Sequence, residues 1–152
     1  MNEIEIINTG LINFSPNGRT KTAVIKEMTE MLKSDGRVSD VSAFCANVFE
    51  REGISSTDTG IGVAIPHGKG TFVECSSVAI CRFDEGLVWD RTPVKAVFLL
   101  AVDDDEEGLA HLELIAKVST MLMDDDFLEL LFTASSEKIL FNEIKKRLEE
   151  EE

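Results

Sequence analysis

The chain has 152 residues, a formal net charge of −14 and 43% hydrophobic residues. We expect residues 1–152 to form a single globular domain, with a core over about residues 5–147 ahead of an acidic tail. The negative charge argues against nucleic acid and anionic membranes as partners, since both would repel the chain. No apolar run approaches membrane-spanning length and the first residues carry no signal core, so we expect a cytoplasmic protein that does not insert into a membrane.

The first third of the chain predicts two helices. Apolar residues recur at helical spacing from Thr20 to Leu32, and the polar run 34–36 ends that segment. A second helix is expected to begin after a cap at Asp40 and to end at Gly53. The residues expected to face the core are Val24, Ile25, Met28, Met31 and Leu32 in the first helix, and Val41, Phe44, Cys45, Val48 and Phe49 in the second.

Short apolar runs predict the strands. An edge segment is expected near residues 4–7, and Val63–Ile65 reads as a brief buried strand that Pro66 ends, with Gly68 turning the backbone away. Two more strands are expected at 77–83 and 94–102, joined by a turn at 84–86. The 94–102 run is almost wholly apolar, which is typical of a central strand covered on both faces.

The last third again predicts helices. A helix should follow Gly108, a short one should cover 127–132, and a last one should run from a cap at Ser135 or Ser136 to Leu148. The first of these is expected to contact the core through Leu112, Ile115, Ala116, Met121 and Leu122. Helices on both sides of apolar strands predict an α/β fold, a three-layer sandwich with a central, mostly parallel (mixed) sheet of about five strands flanked by helices on both faces.

The two histidines are the strongest candidates for chemistry. His67 follows the predicted strand 63–65, where an imidazole near its ordinary pKa is largely neutral and can act as base, ligand or nucleophile. His111 opens the helix after the central strand, and strand ends of α/β sheets collect catalytic groups. His111 is therefore a candidate partner of His67, although a helix-start histidine without a role fits the pattern equally well.

Two cations near His67 have both structural and functional interpretations. Arg51 lies at the C-terminal end of the second predicted helix, where the helix dipole favours a cation. A guanidinium also matches phosphate oxygens in a fixed fork, so Arg51 is a candidate anion clamp. Lys69 could contribute a point charge, but a solvated lysine explains it as well.

Several other chemistries lack their motifs. Two histidines without cysteine or carboxylate at ligand spacing make a poor metal site. The chain has no G-x-S-x-G elbow and no G-x-x-x-x-G-K-[ST] loop, and Gly60-Ile61-Gly62 is too short for a dinucleotide fingerprint. We therefore expect no metal and no cofactor. The chemistry that remains is a histidine nucleophile with cationic groups that hold an anion.

One segment carries a family resemblance. It begins Arg51-Glu52, passes a Ser-Thr and glycine-rich stretch, and ends Ala64-Ile65-Pro66-His67. With it, the chain resembles the type 2 enzyme IIA domains, the fructose/mannitol class, of the bacterial sugar phosphotransferase system. The segments 111–119 and 122–127 are similar to the same family, and 86–90 is most similar to its fructose branch. The resemblance covers roughly residues 5–147.

The resemblance implies a phosphotransferase that works as a relay. His67 would accept a phosphoryl group on Nε2 from the phosphohistidine of HPr and pass it to a cysteine of the IIB component, during uptake of fructose or a related sugar. Arg51 and His111 match the positions of the family's auxiliary arginine and histidine, so they would face the phosphate. We expect Ile61 and Leu109 to belong to the surface on which both partners dock.

Three alternatives stay open at this stage. The sugar could be mannitol or another polyol, and the chain could be a nitrogen-related regulatory IIA protein whose phosphorylation state controls binding to target proteins. A domain that has lost activity is disfavoured, because Arg51, His67 and His111 occur together. Asp58 stands where the family often has glycine, which predicts a local change in the loop before His67. The connection from Trp89 to Pro93 is shorter than usual for the fructose branch.

Overall fold

The computed structural model describes residues 6–90, 92–104 and 109–149, with residues 109–111 described as backbone only. Within these ranges the strands are β1 (Ile12–Asn13), β2 (Val63–Ala64), β3 (His67–Gly70), β4 (Ser77–Val88) and β5 (Pro93–Asp103). The helices are α1 (Lys21–Ser34), α2 (Val41–Ile54), α3 (Leu109–Leu122), α4 (Asp125–Thr133) and α5 (Glu137–Glu149).

The strands form one mixed sheet in the order β1-β4-β5-β2, and β3 also pairs with β5. The pairings of β1 with β4 and of β2 and β3 with β5 are parallel, whereas β4 and β5 form a long antiparallel pair. Every residue of β5 from Ala96 to Val102 is fully buried. The predicted mixed sheet and its covered central strand are therefore confirmed.

Helices cover both faces of the sheet. Ser77 of β4 lies in register with Ala101 of β5, and Ala101 lies in register with Gly68 of β3, so these three residues share a face. On that face Gly68 packs against α2. The next residue of β4, Val78, points to the opposite face and packs among residues of α3 and α5. The three-layer sandwich expected from the sequence is confirmed.

Side-chain caps fix the starts of the helices. Thr20 Oγ1 accepts from Ala23 N at 3.1 Å, and Asp40 Oδ1 accepts from Ala43 N at 3.0 Å. Of the two serines considered for α5, Ser136 is the one whose hydroxyl accepts a backbone N–H, that of Ile139. The caps therefore confirm the predicted starts of α1 and α2 and decide the start of α5.

The strands differ from expectation in two places. The edge strand is Ile12–Asn13, which the sequence did not predict; in the segment 4–7, residues 4 and 5 lie outside the described residues, and Ile6 and Ile7 belong to no strand. Residues 84–86 continue β4 instead of forming the turn, because the strand tolerates a register shift between Arg82 and Leu87. Gly86, with φ +73°, supplies the backbone conformation that this irregularity needs.

The predicted core face of α3 was partly wrong. Leu112 is 64% exposed and Ala116 is also exposed, whereas Leu114 and Val118 are buried. The start of α3 is apolar on most sides, so the spacing alone did not define which stripe faces the sheet. In the part of the chain that the structure describes, no helix combines the length and apolarity needed to cross a bilayer.

Candidate functional site

His67 lies where two strand segments meet, and not at a free strand tip. β2 ends at Ala64, and β3 begins at His67, which pairs with Leu100 of β5. The Pro66 carbonyl accepts from Leu100 N at 2.9 Å, so Pro66 interrupts the strand without releasing it from the sheet. The sheet therefore holds the backbone both at Pro66 and at His67.

Gly68 does not turn the chain as expected; it lets α2 approach β3. A Cβ atom at Gly68 would lie 2.8 Å from Cε1 of Phe44 and 2.9 Å from Cγ2 of Val48. Real Cβ atoms are not found that close to other heavy atoms, so a side chain here would push the helix away. Glycine at position 68 therefore sets the distance between His67 and the residues that α2 carries.

The His67 ring is half-buried and is oriented by its own backbone. Its Nδ1 atom lies 3.3 Å from the carbonyl oxygen of Ile65. A carbonyl only accepts hydrogen bonds, so Nδ1 carries the hydrogen and the lone pair of the neutral ring resides on Nε2. The acceptor that orients the ring is therefore the backbone carbonyl of Ile65, two residues before His67.

The surroundings keep the imidazole of His67 neutral. Burial lowers its pKa below 6.5, and the charge of Arg51 lowers it further. The Ile65 carbonyl and the charge of Glu52 act in the opposite direction without reversing the shift. At neutral pH the ring is therefore a nucleophile or base and not a cation.

Arg51 is the cation that the structure places near this ring. It lies in the last turn of α2, and its Nε atom donates to Oδ1 of Asn47 at 3.1 Å. The same Asn47 oxygen accepts the backbone N–H of Lys69 at 2.9 Å. The sequence analysis missed Asn47, although its position four residues before Arg51 places both on one face of a helix.

Glu52, the residue after Arg51, has a structural role. Its side chain is buried and accepts from Trp89 Nε1 at 3.3 Å, from Lys21 Nζ at 2.9 Å and from the hydroxyl of Thr57. Lys21 also binds Asp90 at 2.9 Å. Glu52 therefore anchors the loop that leads to His67.

The loop before His67 is closed by further polar contacts. Asp58 accepts from the hydroxyl of Thr92 at 2.8 and 3.0 Å, and its own φ is not positive. Gly60 and Gly62 supply the left-handed backbone, with φ of +85° and +89°. Where the family often has glycine, Asp58 therefore adds a side chain that binds Thr92. Its backbone does not need the left-handed conformation that favours glycine.

The structure describes the other predicted site residues to different extents. Ile61 is 46% exposed in the same loop, as a docking residue requires. Lys69 follows His67 on β3 and is partly buried. His111 lies in the first turn of α3, which Leu109 begins, but the side chains of both lie outside the described residues. Their roles stay predictions.

This arrangement is suited to binding and transferring an anion. A neutral imidazole offers one nitrogen lone pair, and the positive charge of Arg51, which lowers the pKa of the ring, also favours the approach of an anion. Phosphoryl transfer needs in-line positioning and cationic donors, and it needs little else from the protein.

Comparison with known proteins gives the family. Residues 5–147 match the family model described as "Phosphoenolpyruvate-dependent sugar phosphotransferase system, EIIA 2". The chain belongs to this family. Among curated relatives, the fructose-specific EIIA component of Haloferax volcanii is 33% identical over 131 residues, which cover 84% of each chain. The fructose-specific EIIABC component of Bacillus subtilis is 30% identical over 145 residues, or 93% of this chain.

Among solved structures, the type 2 EIIA fold also occurs in the nitrogen regulatory protein IIA-Ntr of Neisseria meningitidis. That structure aligns with a TM-score of 0.81 and 27% identity, over 91% of this chain and 96% of the other. The Bacillus subtilis relative is much longer, and the matched region spans 23% of it.

Proposed function

We propose that this type 2 EIIA domain is a cytoplasmic phosphocarrier of a sugar phosphotransferase system. His67 accepts a phosphoryl group from the phosphohistidine of HPr and passes it to a cysteine of a IIB component. The observation that carries the proposal is the hydrogen bond from Nδ1 of His67 to the Ile65 carbonyl, which leaves the Nε2 lone pair as the nucleophile. The family and the names of its relatives support the same function.

The proposed relay has two balanced steps. The lone pair on Nε2 of His67 attacks phosphorus, the nitrogen–phosphorus bond in HPr breaks, and its electron pair returns to the imidazole of HPr. In the second step the thiolate of the IIB cysteine attacks the same phosphorus. A sulfur–phosphorus bond forms, and the bond to Nε2 breaks with its electrons returning to His67. Neither step needs a nucleotide or a metal ion.

Arg51 stabilises the phosphoryl group during its transfer. The transition state of phosphoryl transfer is loose and spreads negative charge over three oxygens, so a nearby guanidinium lowers its energy. The neighbouring charge of Arg51 also helps to keep His67 neutral, as the nucleophile must be. We assign His111 the second phosphate-facing position on the family resemblance and on its place in the first turn of α3.

The docking surface is expected to include Ile61 and Leu109. Ile61→Asp should slow phosphorylation by HPr without unfolding the domain, because the side chain is 46% exposed. Met123→Asp is the matched control: Met123 is 82% exposed and lies beyond the far end of α3 from His111. Equal rates for the two variants would show that Ile61 does not belong to the docking surface.

The direct test supplies phosphoenolpyruvate, enzyme I and HPr to the purified chain. Intact-mass spectrometry should detect one added phosphoryl group that is labile in acid and stable in base. His67→Gln should abolish this addition, because the amide has no comparable nucleophile. A His67→Gln variant that gains acid-labile phosphate at the normal rate would exclude His67 as the acceptor.

A panel of IIB proteins would then identify the pathway. Transfer to a fructose IIB and to no other would support the fructose branch, which the two relatives named above favour. Transfer to a mannitol IIB would assign a polyol. The panel needs only the phosphorylated chain and mass spectrometry of each acceptor.

A regulatory role is the second candidate. The likeness to the Neisseria meningitidis nitrogen regulatory protein, at 27% identity, is the observation that favours it. In that case HPr, or a related carrier, would still phosphorylate His67, but no sugar IIB would accept the phosphoryl group. Binding to target proteins would instead differ between the phosphorylated chain and the unmodified one.

A further inference from the structure

We propose that Asn47 is a positioning residue for phosphoryl transfer, because its side-chain oxygen fixes the guanidinium of Arg51 relative to the strand that carries His67. The proposal deepens the proposed function and rests on it. Asn47 itself touches neither the phosphoryl group nor a partner in this mechanism; it acts through Arg51.

A single oxygen atom makes the connection. Oδ1 of Asn47 accepts from Nε of Arg51 at 3.1 Å and from the backbone N–H of Lys69 at 2.9 Å. Both partners are donors that cannot accept, so the atom that faces them is the amide oxygen and not the amide nitrogen. The two lone pairs of the oxygen are thus both used.

The two donors belong to different elements. Arg51 lies on α2, whereas Lys69 lies on β3 two residues after His67, so Lys69 and His67 share one side of the strand. Gly68, between them, brings the helix close enough for this contact. Asn47 therefore links the nucleophile's strand to the helix that carries the cation.

The link leaves the reactive end of Arg51 available. Nε is bonded to Asn47, and among the described residues the two terminal nitrogens of Arg51 have no hydrogen-bond acceptor. A guanidinium held at Nε points its terminal fork in a fixed direction, so less side-chain entropy is lost when a phosphoryl oxygen binds. Without Asn47 the long side chain would have to be ordered during each transfer.

The placement of Arg51 also affects His67 before any phosphoryl group arrives. Among the described residues, two charged groups act on the ring: Arg51 lowers its pKa, and Glu52 raises it. Release of Arg51 from Asn47 would weaken the first influence and leave the second unchanged. The pKa of His67 should then move upward, and this shift can be measured without HPr.

The kinetic test compares Asn47→Ala with Asn8→Ala, a matched change at a residue whose amide binds Asp35 and not the site. Asn47→Ala should slow His67 phosphorylation about tenfold in kcat with the KM for HPr unchanged, a loss typical of one hydrogen bond to a charged group. Asn8→Ala should not change the rate. In an Arg51→Gln background, Asn47→Ala should have no further effect. Full additivity, or a change in KM alone, would overturn the proposal.

A second readout is independent of phosphoryl transfer. By NMR, Asn47→Ala should raise the pKa of His67, and the Nε–H signal of Arg51 should exchange quickly with water only in that variant. If Asn47→Ala does not fold, slow exchange of the Arg51 Nε–H signal in the unmodified chain tests the same bond, and fast exchange there would overturn the proposal. A chain that HPr does not phosphorylate, but that passes these NMR tests, would refute the proposed function and leave the positioning of Arg51 intact.

Discussion

Two arginines, Arg82 on strand β4 and Arg51 on helix α2, differ in what surrounds them. Arg82 on β4 donates to the carbonyls of Leu131 and Ala134 at 3.2 and 2.7 Å, and its guanidinium lies 3.6 Å from the ring centre of Phe14. Arg51 donates from Nε to Asn47 and makes no other hydrogen bond within the described residues. A guanidinium already engaged by backbone carbonyls and a ring stabilises the fold, whereas one whose terminal nitrogens lack an acceptor among the described residues can receive an anion.

The largest expected effect separates these two residues directly. Arg51→Gln should reduce phosphoryl transfer to His67 by about 10²–10³-fold, because it removes a cation from the transition state. Arg82→Gln should instead lower the free energy of unfolding by about 1–3 kcal/mol, because it leaves two carbonyls without a charged donor. The measurements are single-turnover phosphorylation and urea unfolding of both variants.

The comparison fails if Arg51→Gln and Arg82→Gln change the rate of phosphoryl transfer and the free energy of unfolding in the same way. A loss of transfer in folded Arg82→Gln as large as that in Arg51→Gln would show that Arg82 also serves the reaction. Unchanged transfer in Arg51→Gln would remove the guanidinium from the mechanism.

Gly68→Ala should disturb the Arg51 region through packing. The added methyl group would meet Phe44 and Val48, so we expect a loss of about 1–3 kcal/mol in stability together with slower transfer, as α2 moves away from β3. Gly53→Ala is the matched control on α2, the helix that packs against Gly68, because a Cβ atom at Gly53 would meet nothing within 4 Å. Gly53→Ala should raise stability by about 0.5–1 kcal/mol. Equal stabilities for the two variants would contradict the close packing at Gly68.

The pH dependence sharpens the role of Arg51. Only neutral His67 can attack phosphorus, and burial and Arg51 lower its pKa, so the midpoint of the decline in rate on the acid side should lie below pH 6.5. An NMR titration of the ring, assigned with His67→Gln, locates this pKa. Arg51→Gln should move the pKa and the acid limb of the rate upward together. A titration midpoint above 6.5 in the unmodified chain would contradict the lowered pKa of His67.

The smallest effect is expected at the loop that precedes His67. Asp58→Gly should cost about 1 kcal/mol of stability, because the hydroxyl of Thr92 loses its acceptor. Transfer should change by less than about twofold, since Glu52 still anchors the loop. Urea unfolding and single-turnover rates measure both quantities, and a large loss of transfer would make Asp58 part of the site.

The sequence predicted most of the fold because local signals agreed with it. The caps at Thr20 and Asp40 and the apolar run of β5 each depend on residues within one element. The predictions failed where long-range packing decides. Gly68 reads locally as a turn, but its role is set by α2, and the apolar start of α3 does not reveal that Leu112 faces solvent.

The same distinction holds in the site. His67 and Arg51 could be named from residue type and motif, but the partners that orient them could not. The acceptor for Nδ1 is a backbone carbonyl, which no sequence pattern marks. Asn47 acts through a contact between α2 and β3, so its role depends on how the two elements pack.

The most direct test of the account identifies the nitrogen that carries phosphorus. A two-dimensional phosphorus–nitrogen NMR spectrum of the ¹⁵N-labelled chain, after phosphorylation by HPr, should correlate phosphorus with Nε2 of His67, since Nδ1 donates to Ile65. A correlation with Nδ1, or with any other residue, would contradict the orientation of the ring on which the mechanism depends.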